Sequence, residues 1–185
     1  MDAVDVDTLS GDTVGPIFFS LDGAFSDPSE AAPANSGTAA RNCVSAADVL
    51  VQTSRGTPAA VYATAAQLGL VGDDQIDWLL PHDDLDALAL WDNGDNVFTP
   101  NEDQILFSVR TESQIIGQLD SRTFQPIEEG DVLTVPDAGG TTPAIVIHAE
   151  ALGVHSRRNG CTDNSCGEVD ALDLFVNPDA SGDLD

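Results

Sequence analysis

Short apolar stretches alternate with polar segments along the whole chain. Ile17–Leu21 and Ile105–Val109 are runs of residues that favour β-strands. Val61–Ala65 and Ile145–Ala149 can place alternate side chains on opposite faces, as a strand does. The segments between these runs are rich in Gly, Pro, Asp, Asn and Ser, which favour turns. The pattern therefore predicts an all-β chain of short strands.

The same blocks of sequence occur twice in the same order, which is the signature of an internal repeat. An Asp-rich block also occurs a third time near the start, at Asp5–Leu9, and its pattern fits either a strand or one helical turn. The matching pairs are Ala60–Leu70 with Ala144–Val154, Asp84–Trp91 with Glu168–Phe175, Ala47–Leu50 with Gly130–Leu133, and Ile17–Leu21 with Ile105–Val109.

The order of these blocks predicts two tandem, pseudo-symmetric repeats with a β-sandwich-like or β-roll-like fold. Residues 1–83 form the first predicted repeat and residues 84–167 the second. Residues 168–185 hold the extra Asp-rich block and an acidic tail. A single compact domain made from both repeats is the alternative arrangement.

The net charge of the chain limits the kinds of molecule that it can bind. The chain has 32 acidic residues and six basic ones, so its formal net charge is −26. Nucleic-acid binding depends on Lys and Arg that neutralise phosphates, so this class is excluded, and anionic lipid surfaces are disfavoured for the same reason. Membrane insertion is not expected either, because no apolar run approaches the roughly 20 residues that span a bilayer.

The acidic residues are mostly aspartates, and short carboxylates in loops are the usual ligands of Ca²⁺. Their recurrence at the junctions between blocks predicts Ca²⁺ ions that hold one repeat to the next. An acidic surface adapted to high salt is the alternative. The predicted ligands are Asp5, Asp7, Asp12, Asp84, Asp86, Asp92, Asp95, Asp103, Glu168, Asp170 and Asp173.

Three cysteines and three histidines offer further chemistry. Cys161 and Cys166 lie in one polar loop and predict a local disulfide in an oxidising compartment, with Cys43 left over. His148 and Glu150 lack the helical spacing of a zinc hydrolase, so His148 is interpreted as a surface histidine. The cysteines favour an extracellular or cell-surface location.

Three of the blocks resemble repeats of secreted bacterial proteins that often carry a PEP-CTERM, exosortase-type sorting tail. The residues concerned are Asp84–Leu88, Ile105–Val109 and Ala65–Leu70, in repeats of the form DDLDALDLF, LFSV and LYASAASLGL. The resemblance covers nearly the whole chain through short, degenerate motifs. It implies secretion and a role at the cell surface.

These observations favour a secreted, non-catalytic, Ca²⁺-binding structural protein, with no catalytic residues assigned. The extra Asp-rich block in residues 168–185 could pair with a strand edge of another copy and build a filament or surface layer. One alternative is an adhesion module for a glycan or surface protein, which would use Asp27–Gly37 and Gly72–His82, with Trp78 as a possible contact. Another is an acidic hydrolase of unknown type.

Overall fold

The computed structural model describes residues 4–6, 15–21, 39, 43–72, 83–111, 113–162, 166–167 and 169–172. In this part of the chain the fold is mainly β, as predicted, with two four-stranded antiparallel sheets and little helix. The first sheet contains β1 (Val4–Val6), β2 (Ile17–Phe19), β3 (Val49–Gln52) and β4 (Ala60–Ala63). The second contains β5 (Leu85–Trp91), β6 (Gln104–Val109), β7 (Val132–Thr134) and β8 (Ala144–Ile147).

Each sheet is a meander in which every strand pairs with the next one along the chain. β2 pairs with β3 through Phe18 and Val51, and β6 pairs with β7 through Phe107 and Leu133. β1 also lies near β5, so the first strands of the two sheets are neighbours. The Asp-rich block at Leu85 is therefore a strand rather than a helical turn.

One apolar cluster joins the two sheets, which gives the fold its sandwich-like character. Phe18 and Tyr62 enter it from the first sheet, and Phe107 and Ile145 enter it from the second. The rings of Phe18 and Tyr62 meet edge to face, with their centroids 4.8 Å apart. Each fully buried side chain of this size stabilises the fold by about 1.5–3 kcal/mol.

Two predicted strands end earlier than expected. A short helix, α1 (Ala65–Leu68), follows β4, and a 3₁₀ turn (Ala149–Leu152) follows β8. Thr64 begins α1 because its side chain accepts a hydrogen bond from the Gln67 amide, in a capping box. Gly69 and Gly153 end the two turns at φ of 77° and 78°, a left-handed conformation that glycine adopts without steric cost.

Several local features occur in both sheets. β3 and β7 each have a shift of register against the following strand. The Leu70 amide donates to the Ala65 carbonyl, and the Val154 amide donates to the Ala149 carbonyl. These matches agree with the repeated blocks, while the tandem symmetry and the repeat boundaries stay a prediction. No helix in the described ranges is both long and apolar enough to cross a membrane.

Candidate functional site

Aspartates that are partly or fully buried hold loops against strands in both sheets. Asp48 lies just before β3, and its carboxylate accepts hydrogen bonds from the amides of Ser45 at 2.9 Å and Ala65 at 2.8 Å. Asp131 lies just before β7 and accepts from the amides of Glu128 and Ala149, both at 2.9 Å. Each carboxylate thus ties the start of one strand to the turn that follows the next, because a buried amide needs an acceptor.

Arg158 adds a cation to the second of these positions. Its guanidinium donates to both carboxylate oxygens of Asp131, with Nη1 to Oδ2 at 2.8 Å. It also donates to both oxygens of Glu150, with Nε to Oε1 at 3.1 Å, and to the carbonyl of Pro126. Asp131 is fully buried. Ionised partners make strong hydrogen bonds, so this is the most constrained polar cluster among the described residues.

The ionisation of this cluster follows from its contacts. The hydrogen bonds from Arg158 lower the pKa of Glu150 to about 2 against the opposing effect of burial, and the Ser156 hydroxyl contributes to the lowering. Burial would lower the pKa of Arg158, but its hydrogen bonds to Asp131 and Glu150 raise it overall. Both groups are therefore charged across the physiological range.

Two further acids, Glu128 and Glu129, precede Asp131 in the same turn and contact Arg157. Glu128 accepts a hydrogen bond from the Arg157 amide at 3.0 Å, and Glu129 pairs with the Arg157 side chain at 3.0 Å. Burial raises the pKa of Glu128, because little water remains to solvate its charge. Glu129 is only 1% exposed, and its second oxygen has no hydrogen-bond donor.

Asp131, His148 and Glu150 are the one group in the described part of the chain whose ligand atoms approach as a metal site requires, within 4.8 Å of one another. His148 is partly buried, and its Nδ1 atom lacks a hydrogen-bond partner. Both carboxylates, however, already bind the Arg158 guanidinium. The cation at this position is therefore an arginine, and the geometry is that of an ion-paired clamp.

The predicted ligands Asp92, Asp95 and Asp103 lie on the loop between β5 and β6, where they accept backbone hydrogen bonds. Asp92 accepts from the Gly94 amide at 2.8 Å and the Asn96 amide at 3.1 Å. The remaining bonds run from the Asn93 and Thr99 amides to Asp103, and from the Val97 amide to Asp95.

The Tyr62 hydroxyl lies beneath this loop and donates to Asp92 Oδ1 at 3.1 Å. Burial raises the pKa of Tyr62 far above its usual range, and the charges of Asp92 and Asp103 raise it further. Asn96 Oδ1 is buried without a donor. The Tyr62 phenol is therefore neutral and lies against the carboxylates of Asp92 and Asp103.

The remaining predicted ligands are dispersed or undescribed. Asp5 lies in β1 opposite Phe18, and Asp84 is buried and 3.6 Å from Arg110. Asp86 is partly buried in β5, and Asp170 is exposed. None of these residues belongs to the group of Asp131, His148 and Glu150. Outside the described residues are Asp7, Asp12, Glu168, Asp173, Trp78 and both predicted contact loops apart from Gly72.

Cys161 and Cys166 form a disulfide, with Cα atoms 5.7 Å apart, while Cys43 is exposed and outside it. The chain then returns over the second sheet, where the Gly167 amide donates to the His155 carbonyl at 2.8 Å. Ser108 in β6 donates to the Val169 carbonyl at 2.6 Å. The described part of the extra Asp-rich block in residues 168–185 thus contacts its own chain, and strand exchange between copies stays a prediction.

Sequence reasoning did not single out Asp48, Asp120, Asp131 or Arg158. The recurrence of Asp in Ala47–Leu50 and Gly130–Leu133 was a usable signal for the first and third of these. No local pattern links Arg158 to Asp131, because the two residues meet only through the fold. No protein-family model, curated protein or solved structure matches this chain.

Proposed function

We propose that the chain is a non-catalytic structural module of the cell exterior, built from two copies of one β unit. One observation carries the proposal: carboxylates that are buried, or in the case of Asp48 partly buried, are used to fix the backbone. The residues that accept backbone amides in this way are Asp48, Asp83, Asp92, Asp103, Asp120 and Asp131.

A catalytic carboxylate must reach a substrate, whereas each of these carboxylates already accepts backbone amides of its own chain. Asp83 illustrates this use, because it accepts from the Val71 amide at 2.6 Å and from the Ile115 amide at 2.8 Å. Loops held in this way keep a fixed shape without a large aromatic core, which suits a chain with 5% aromatic residues. The disulfide and the resemblance to secreted repeat proteins support the extracellular location.

Calcium binding belongs to the proposal through the loop that holds Asp92, Asp95 and Asp103, although the described structure does not bring oxygens of all three within 4.8 Å of one another. Asp92 and Asp103 are both buried, and the described residues include no Lys or Arg salt bridge to either carboxylate. The buried oxygen of Asn96 lies in the same loop. Oxygen-rich loops of this kind suit a hard cation, although Asp92 Oδ2 already accepts two amides, those of Gly94 and Asn96.

The test is a thermal unfolding series in low salt with EDTA, with millimolar Ca²⁺ and with molar NaCl. An ion that binds only the folded state raises the midpoint as its concentration exceeds the dissociation constant. We expect Ca²⁺ to raise the midpoint by more than NaCl does. The variant Asp95→Asn keeps the acceptor for the Val97 amide but should lose most of the Ca²⁺ effect.

Glu102→Gln is the matched control, because it removes one exposed charge from the same loop at a residue that is not a predicted ligand. If NaCl and Ca²⁺ stabilise equally, the acidic residues form a screened surface and the calcium assignment is withdrawn. The structural role is tested separately by Asp131→Ala and Asp48→Ala. Wild-type stability in both variants would show that the buried carboxylates do not fix the fold.

A further inference from the structure

A rigid hairpin projects from the second sheet between β6 and β7. Its two sides are joined by hydrogen bonds from the Gly117 amide to the Ile127 carbonyl at 2.8 Å and from the Asp120 amide to the Gln125 carbonyl at 2.9 Å. Thr142 Oγ1 donates to the Leu119 carbonyl at 2.7 Å and fixes the hairpin to the turn before β8. The hairpin is therefore held by the body of the protein.

Asp120 organises the tip of this hairpin from within. It is 1% exposed, and its carboxylate accepts from the amides of Arg122, Thr123 and Gln125, each at 2.9 Å. It also accepts from the Thr123 hydroxyl at 2.6 Å and the Ile145 amide at 3.3 Å. The one acid of the hairpin is thus directed inward, and the outer surface of the tip carries none.

Phe124 lies in the turn of the hairpin, just before Gln125, and is 70% exposed. Its φ is 57°, in the left-handed region that favours glycine and is an outlier for a bulky side chain. Such conformations cluster at functional sites, where the surrounding structure holds them. Leu119, on the other side of the hairpin, is 55% exposed. The fold thus presents an aromatic ring to solvent at a position where glycine would fit better.

Charge sets this surface apart from the rest of the protein. From Ser113 to Ile127 the sequence contains one acid, Asp120, and one base, Arg122, in a chain of net charge −26. The Arg122 guanidinium is paired with both oxygens of Asp137, at 3.1 Å and 2.8 Å. Apart from this ion-paired Arg122, the exposed residues of the hairpin are neutral, with Gln118, Thr123 and Gln125 among them.

We propose that this hairpin, defined by residues 117–127, is a contact site for a neutral polysaccharide, with the Phe124 ring as the stacking platform. The apolar face of a pyranose ring matches one exposed aromatic ring, and neighbouring amide and hydroxyl groups match its hydroxyls. A protein partner would need roughly 800 Å² on each side, far more than one hairpin tip offers. Anionic polymers are repelled by the net charge of −26.

The test measures retention of the full chain on insoluble uncharged polysaccharides, cellulose and amylose, with alginate as the anionic comparison. The variant Phe124→Gly removes the ring and relieves the left-handed backbone, so its thermal midpoint should equal or exceed that of the wild type. Its affinity for the retaining polysaccharide should fall about tenfold. Val97→Ala, which trims an exposed apolar residue on another loop, should bind as the wild type does.

Retention on cellulose or amylose that Phe124→Gly abolishes and Val97→Ala preserves supports the proposal. Three outcomes overturn it: no retention on either neutral polymer, equal retention of the wild type and Phe124→Gly, or stronger retention on alginate. A marked drop in the thermal midpoint of Phe124→Gly would assign the ring to packing and also overturn the proposal. Self-association that requires Phe124, measured by sedimentation, would replace the glycan with a second copy of the chain.

Discussion

Replacing Asp131 with alanine should be among the most damaging single changes to the second sheet. The carboxylate accepts from the Glu128 and Ala149 amides and from Arg158, and the side chain is fully buried. Each buried amide left without an acceptor costs about 1–3 kcal/mol. Breaking a buried ion pair costs about 3–5 kcal/mol. These terms overlap, so we expect Asp131→Ala to lose about 5 kcal/mol of unfolding free energy.

Asp48→Ala provides the internal comparison, because Asp48 accepts two backbone amides and, among the described residues, forms no salt bridge with an arginine. Its loss should cost about 2–3 kcal/mol, the low end of the sum for two amides that lose an acceptor, because Asp48 is only partly buried. Arg158→Met keeps the amide contacts of Asp131 and removes only the cation, at a cost of about 3 kcal/mol. Asp137→Ala, which removes an exposed ion pair, should cost less than about 1 kcal/mol.

The assay is urea unfolding followed by far-UV circular dichroism, with free energies extrapolated linearly to water. If Asp131→Ala proves too unstable to fold, Arg158→Met and Asp48→Ala still separate the cation from the backbone contacts. Equal losses for Asp131→Ala and Asp48→Ala would refute a stabilising role for Arg158. Losses below about 1 kcal/mol in both would refute the claim that these carboxylates fix the backbone.

Two other predictions follow from the pKa of Glu150 and from the Tyr62 hydroxyl. The folded-state pKa of Glu150 is lowered from 4.5 to about 2, so its stabilising contribution is present above pH 4.5 and lost as the pH falls towards 2. The urea midpoint of Glu150→Gln should therefore change less than that of the wild type across this range, and parallel profiles would contradict the assignment. Tyr62→Phe should cost about 2 kcal/mol, because Asp92 Oδ1 loses its donor while the ring keeps its aromatic neighbours. An unchanged unfolding free energy would mean that water replaces the hydroxyl.

The strands were predictable because their pattern is local. Ile17–Leu21 and Ile105–Val109 contain the β-forming runs that became β2 and β6, and turn residues separate them from the next strand. The early ends of β4 and β8 were missed because the apolar pattern continues through Ala65–Leu68 and Ala149–Leu152. Each strand gives way there to a short helical turn that ends at a glycine, and only the first of these turns has a capping side chain, that of Thr64. Such local signals are weaker than periodicity.

The abundance of aspartate was evident from composition, but composition could not assign its use. The same residue type can bind Ca²⁺, face water or accept backbone amides, and these outcomes differ only in what surrounds the carboxylate. Asp92 and Asp103 were predicted as ligands, and the structure adds that their oxygens accept amides of their own loop. Asp120 was passed over, although it organises an entire hairpin tip.

The sequence by itself determined the β class, the order of the strand blocks and the strongly acidic surface, since these depend on local propensity and composition. Only the tertiary structure decided that Arg158 meets Asp131 across 27 positions of sequence, and that Phe124 lies exposed on a hairpin whose one acid, Asp120, is buried. The physical reason is that burial and hydrogen-bond partners are properties of the packed chain. A residue's identity fixes what it can bind, and the fold determines what reaches it.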